Sequence, residues 1–203
     1  MEELKLFVKQ MRATSSSLDK VEILKQQSDF IKKVLEYTYN PYKQYYVTSK
    51  TCKKNFNIRN TFPDEDLFEL LDDLTNRKIT GHDAIAAVNS FTNVYEEYED
   101  LIHSIIDKDL KTRTGAKVIN KAFPNLIPEF NVALAKTFEE KDVDFNAAEW
   151  YASRKLDGVR CLAVVDVNGT CTLYSRMGKE FTTLNKIKYA IEATGIINYV
   201  FDG

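Results

Sequence analysis

The chain has few of the residues that mark out a special class of protein. Its 203 residues include three cysteines, four prolines, seven glycines, one tryptophan and two histidines. Three cysteines with no Cys-x-x-Cys pair exclude a disulfide scaffold and suit a reducing compartment. So little glycine and proline excludes collagen-like and low-complexity classes. No apolar run exceeds five residues, Cys161–Val165 among them, whereas a membrane helix needs ~20. The start, Met1-Glu2-Glu3-Leu4-Lys5, lacks the basic and apolar regions of a secretory signal. A cytoplasmic protein with no membrane partner is the expectation. His82 and His103 have no cysteine near them in sequence, so no zinc site is expected and no metal ligand is assigned. What remains is an ordinary globular composition, 44% apolar and 29% charged. It is long enough to bury a core without staples.

The net charge of −2 hides a strong pattern. Residues 1–60 carry 12 basic and 6 acidic groups, and residues 61–110 carry 3 basic and 13 acidic. Residues 111–121 hold Lys111, Arg113, Lys117 and Lys121 with no acid. A polyanion meets local fields, so a neutral total leaves nucleic acid open as a partner. For most such clusters a solvated surface is the simpler reading.

The first part of the chain reads as helical. Ser16 and Asp19 have capping-box spacing, and Leu24, Ile31, Val34 and Leu35 follow on one helical face that Asn40-Pro41 ends. Asp64 is placed to cap a helix carrying Leu67, Leu70, Leu71 and Leu74. Thr80 and Asp83 form a second capping box before Ile85, Val88 and Phe91. Val94, Tyr98, Leu101, Ile102 and Ile105 make the clearest stripe of 3.6-residue period. Tyr42, Tyr45 and Tyr46, near Lys43, Lys50, Lys53 and Lys54, form one cluster suited to DNA contact.

After Pro124 and Pro128 the pattern turns to strands, at 131–136, 148–155, 159–167, 170–176 and 197–202. Asn168-Gly169 predicts a two-residue type I′ hairpin. That hairpin sets Cys171 opposite Asp166 and Cys161 opposite Arg176, so the cysteines do not meet. Leu184, Ile187 and Ile191 predict a helix closed by Gly195. The expected fold class is α+β, with a helical domain over 1–128 and a mainly antiparallel β domain over 129–203. At least one edge of that sheet lacks a partner, which suggests a truncated domain or a second chain that completes it.

The chemistry centres on Lys155-Leu156-Asp157-Gly158-Val159-Arg160. A lysine becomes a nucleophile when neighbouring cations or desolvation favour its free amine, and Arg154 and Arg160 flank this one. Arginine is also suited to fix a phosphate or ribose oxygen. The simpler reading is a surface turn of mixed charge. Two further segments follow in order, Ser175-Arg176-Met177-Gly178 and Val200-Phe201-Asp202-Gly203. Three of the seven glycines, Gly158, Gly178 and Gly203, fall within these three segments.

In this order the three segments resemble the motifs of covalent nucleotidyltransferases, and in particular the ATP-dependent DNA ligases of T-even-type phages. The stretch Asp109–Pro128, DLKTRTGAKVINKAFPNLIP, and Arg77–Gly81 with Ala84-Ile85 resemble the helical DNA-binding domain of those ligases. The longer stretch argues against RNA ligases and capping enzymes. The resemblance implies that Lys155 attacks ATP to form a lysyl-AMP. It also implies that Arg154, Arg160, Arg176 and Asp202 bind nucleotide, and that Mg2+ or another divalent cation assists. It implies nicked duplex DNA as partner, in a host cytoplasm if the protein is phage-encoded. Ser153 departs from the glutamate or glutamine that the family often has there. The glutamate after the third motif and the later motifs are not in this sequence.

Lys111, Arg113, Thr114, Gly115, Lys117, Asn120 and Lys121 are the candidate DNA contacts. Thr114-Gly115 opens a short helix whose free N–H groups suit a phosphate, among cations that neutralise backbone charge without reading sequence. A second reading is a duplex- or nick-binding module without complete catalysis, for instance a split-gene product.

Overall fold

A computed structural model describes residues 1–59, 66–134, 139, 144–146, 149, 151, 154 and 157–203. It has two compact units, Met1–Glu129 and Phe130–Gly203. No helix among the described residues is long and apolar enough to cross a membrane.

The first unit is helical. Helix α1 (Glu2–Ala13) buries Leu4, Phe7, Val8 and Met11, one face at helical spacing. Glu2 and Glu3 at its start and Arg12 at its end complement the helix dipole. The single helical face read from Leu24 to Leu35 is split between α2 (Ser17–Lys25) and α3 (Asp29–Tyr39). The break comes from a second cap. The Ser16 side chain accepts the Asp19 N–H, and Ser28 accepts the Ile31 N–H and starts a new helix. Asn40, before Pro41, ends α3 in extended backbone.

Two short helices follow, α4 (Ser49–Lys54) and α5 (Leu67–Thr75). Asp64 lies outside the described residues. The cap of α5 is Asp66, whose carboxylate accepts the N–H groups of Phe68 at 2.7 Å and Glu69 at 3.1 Å. Helix α6 (Gly81–Val94) buries every residue from Ala84 to Thr92, so it is the central helix rather than an amphipathic one. Thr80 stands at its N-cap position without a side-chain capping bond. The stripe expected from Val94 to Ile105 is interrupted. Val94 is exposed, a 3-10 turn occupies Glu96–Tyr98, and only then does α7 (Glu99–Ile106) bury Ile102 and Ile105. Helix α8 (Ala116–Ala122) closes the unit against α2.

The second unit is a three-stranded antiparallel sheet, β1 (Cys161–Val165), β2 (Cys171–Ser175) and β3 (Tyr199–Asp202), in the order β2-β1-β3. Helix α9 (Asn185–Glu192) packs on β2. Ala163, Val165, Cys171 and Leu173 form a small core covered by Phe181, Leu184, Ile191 and Phe201. The described residues 131–134 are not a strand, and most of the strand expected at 148–155 lies outside the described residues.

The hairpin register is one residue away from the expected one, with Val165 opposite Cys171 and Cys161 opposite Ser175. The reason is Asp166. Its carboxylate accepts the N–H groups of Asn168 and Thr170, each at 2.8 Å, and its carbonyl accepts that of Gly169. These bonds favour a three-residue loop in which only Gly169, at φ +85°, is left-handed. All three cysteines are free, and neither register sets Cys161 opposite Cys171.

His103 is 4% exposed, and neither ring nitrogen has a hydrogen-bond partner among the described residues. Its Nδ1 is 3.5 Å from Glu99 Oε1. Burial, then Lys53, lower its pKa against the opposing pull of Glu99, Asp107 and Asp100. The unfolded chain therefore takes up the proton first as pH falls. Stability is expected to be fully present above the ordinary histidine range, near pH 6.5, and to decline below it. Urea unfolding at pH 5.5 and 7.5 checks this, and His103→Gln should flatten the difference.

Candidate functional site

In the second unit, period-two alternation puts Arg160 on the same face as Leu162, and Leu162 pairs with Asp202 across β1 and β3. The guanidinium therefore reaches the carboxylate. Nε donates to Oδ1 at 2.7 Å and Nη2 donates to Oδ2. Cys161 and Gly203 exchange backbone bonds at 2.7 and 3.1 Å and fix this end of the sheet. Residues 42 apart in sequence thus meet at one rim. With Asp157, Gly158, Val159 and Gly203 they line an open concavity of about 600 Å³. Among the described residues, a Cβ built on Gly158 would meet nothing within 4 Å, which leaves the backbone there open to a ligand.

Of the other nucleotide-binding candidates, Arg154 is exposed and Lys155 lies outside the described residues, as does Ser153. Arg176 is exposed in a tight turn and does not line the concavity. That turn closes through Gly178, at φ +79°, whose N–H donates to the Ser175 carbonyl, and through Ser175 Oγ, which accepts the Lys179 N–H. The described residues contain no group of three metal-ligating side chains.

In the first unit, Lys111, Arg113, Lys117 and Lys121 are all exposed, while Thr112 and Thr114 are buried between them. Two expected contacts are otherwise engaged. The Thr114 hydroxyl donates to the Thr112 carbonyl at 3.1 Å. The Asn120 amide donates to the Ile127 carbonyl and accepts the Ile127 N–H, so it pins the loop after α8 instead of standing free. Gly115 is the N-cap of α8, with ordinary negative φ. The tyrosine cluster is divided, with Tyr42 and Tyr46 exposed. Tyr45 is buried, with its hydroxyl on the Tyr37 carbonyl, and Lys43 sits 3.7 Å from the centre of the Tyr37 ring.

The cationic segment has an unusual backbone. Lys108, Lys111 and Arg113 all have positive φ, between 54° and 63°, a conformation that costs non-glycine residues ~1–3 kcal/mol each. It is held by carbonyls. Lys108 Nζ donates to those of Tyr37, Asn40 and Lys43 at 3.1, 2.7 and 2.7 Å. Burial, then Lys43, push its pKa down to about 8. Arg12 donates to the Leu110 carbonyl at 3.0 Å. Lys20 donates to those of Thr112 at 2.8 Å and Arg113 at 3.2 Å. Arg12, Thr14 and Ser15 face Lys111, Thr112 and Arg113 across a groove of about 440 Å³. Sequence reasoning missed Arg12 and Lys20. Lys20 was detectable, because it stands four residues before the buried Leu24, at an apolar position of α2.

No protein-family model matches the chain. It is 30% identical to the DNA ligase of Enterobacteria phage T4 over 189 residues, 88% of this chain and 38% of the phage protein. The DNA ligase of phage T6 matches to the same degree. A DNA ligase of African swine fever virus is 29% identical over 111 residues, 55% of this chain and 25% of the viral protein. The solved structure named Pmar-Lig_PreS3 superposes with a TM-score of 0.70 at 25% identity, covering all of this chain and 49% of that one. In sequence the chain resembles T-even phage DNA ligases over most of its own length, and it spans 38% of theirs.

Arg160 holds the Asp202 carboxyl below the ordinary carboxylate range. The pair's contribution is present above that range and is lost as pH falls through the lowered value. NMR titration of Asp202 should show the lowered pKa, and Arg160→Gln should return it to the ordinary range.

Proposed function

We propose that the chain is the N-terminal portion of an ATP-dependent DNA ligase that seals nicks in duplex DNA. Residues 1–128 would form a DNA-binding domain and 129–203 the first part of an adenylation domain. One observation carries this reading: Arg160 of the first motif and Asp202 of the third meet at the rim of one open concavity.

ATP fits that concavity by its donor set. Two of Arg160's nitrogens engage Asp202, which leaves Nη1 to meet a ribose or phosphate oxygen. The open backbone at Gly158 admits a ligand close to the chain. In the proposed reaction the Lys155 amine loses its proton and attacks the α-phosphorus of ATP. An N–P bond forms, the P–O bond to pyrophosphate breaks, and pyrophosphate leaves. Arg154 and Arg176 would assist in holding nucleotide. A divalent cation is part of the proposal. The acidic side chains lining the concavity that could hold it are Asp157 and Asp202. The partner is nicked duplex DNA, met by Lys111, Arg113, Lys117 and Lys121. The setting is a cytoplasm, the host's if the protein is phage-encoded. Because the chain spans 38% of the phage relatives, sealing is expected to need a further segment, in the same chain or a second one.

Lys155→Arg tests the nucleophile. Arginine keeps the charge but has no deprotonated amine. Transfer of label from α-labelled ATP should vanish, in parallel assays with and without a polypeptide supplying the rest of the adenylation domain. Binding to nicked duplex should survive, and label on the variant would refute the assignment.

DNA binding has its own signature. With about four phosphates neutralised, log affinity should fall with log salt at a slope of about −3.6, with little sequence preference. Lys117→Ala should reduce the slope by about 1, measured by fluorescence anisotropy. A salt-independent affinity would rule out this interface.

A further inference from the structure

The segment Leu110–Thr114 makes no helix and no strand, yet it carries two exposed cations on left-handed backbone. Such strain persists only where surrounding groups over-determine it. The innermost of those groups is Lys20, a lysine 4% exposed on α2, more than ninety residues away in sequence. Its ammonium is spent on the carbonyls of Thr112 and Arg113. A trans peptide points its N–H opposite its C=O. Drawing these two carbonyls inward to Lys20 therefore turns the N–H groups of Arg113 and Thr114 the other way. A buried ammonium on an otherwise apolar helix face is costly unless it is paired. An apolar residue at position 20 would serve the core at lower cost, so packing alone does not account for it.

We propose that Lys20 is a positioning residue for DNA binding. It holds the carbonyls of Thr112 and Arg113 inward, so that the two cationic side chains and the two backbone N–H groups converge on one phosphodiester. This rests on the reading of Lys111 and Arg113 as DNA-facing. Lys20 itself touches no DNA.

The test uses the full 203-residue chain, a fluorescent nicked duplex and a salt series, with circular dichroism and thermal melting to verify folding. Folded Lys20→Met should bind at least tenfold more weakly. Its log–log salt slope should be flatter by about 1 to 2, as though exposed cations had been removed. The loss should disappear when the same substitution is made in the Lys111→Ala/Arg113→Ala background, because Lys20 acts through those residues. If Lys20→Met fails to fold, Lys20→Gln takes its place. On the wild-type chain, duplex titration should shift the amide NMR resonances of Arg113 and Thr114. A folded Lys20 variant with wild-type affinity and slope, or unmoved amide resonances at Arg113 and Thr114, overturns the positioning role and leaves the DNA-binding reading intact. Absence of salt-dependent binding by the wild-type chain refutes the DNA-binding reading, and this role with it.

Discussion

Carbonyl oxygens held by cationic side chains are the constraint on which the helical unit's candidate interface depends. Helices satisfy their own carbonyls, but the stretch from Lys108 to Thr114 has no such partner set. Arg12 and Lys20 supply it, from the end of α1 and the middle of α2. Lys108 acts in the opposite sense, reaching out of the segment to the carbonyls around the end of α3. A hydrogen bond from a charged donor contributes ~1.5–3 kcal/mol net, the scale needed to offset three left-handed residues. The exposed side chains of Lys111 and Arg113 are therefore presented by a fixed backbone.

The second unit reaches its geometry by a different route. Its fully buried cluster is small, so hydrogen bonds carry more of the specification. Asp166 sets the loop between β1 and β2, and its carbonyl also accepts the Asn198 N–H, tying the approach to β3 to the same residue. Because β1 lies between its two partners, one aspartate fixes both registers. That in turn sets Asp202 opposite Leu162, within reach of Arg160. A one-residue slip would put Asp202 on the other face of the sheet and break the pair.

Much of the fold was legible because it follows local rules. Apolar positions at helical spacing identified α3 and α5, and β-branched and apolar runs on either side of Asn168-Gly169 identified the β1–β2 hairpin. Three of the misreadings share a cause. At Ser28, Asp66 and Asp166 a short polar side chain bonds to nearby backbone N–H groups, and each such bond moves an element's end or register by a few residues. Apolar periodicity does not report those bonds. The candidate site was legible as residue types in order, Asp157 to Arg160 and then Asp202. The pairing of Arg160 with Asp202 was not, because it depends on which residues of β1 and β3 face each other.

Charge arithmetic misleads here for a related reason. The basic excess of residues 1–60 suggests a cationic surface, yet several of its charges are directed inward or neutralised. Lys20 and Arg12 are spent on carbonyls, and Lys43 and Lys53 lie 3.4 and 3.3 Å from Asp72 and Asp100. Those two acids belong to the strongly negative stretch 61–110, so part of the contrast between the stretches cancels within the fold. Residues 111–121 contribute only four cations and no acid, and all four are exposed. A polyanion responds to charge that remains at the surface with no acid beside it. The longer basic stretch thus spends part of its charge on holding the shorter one in place, through Arg12 and Lys20.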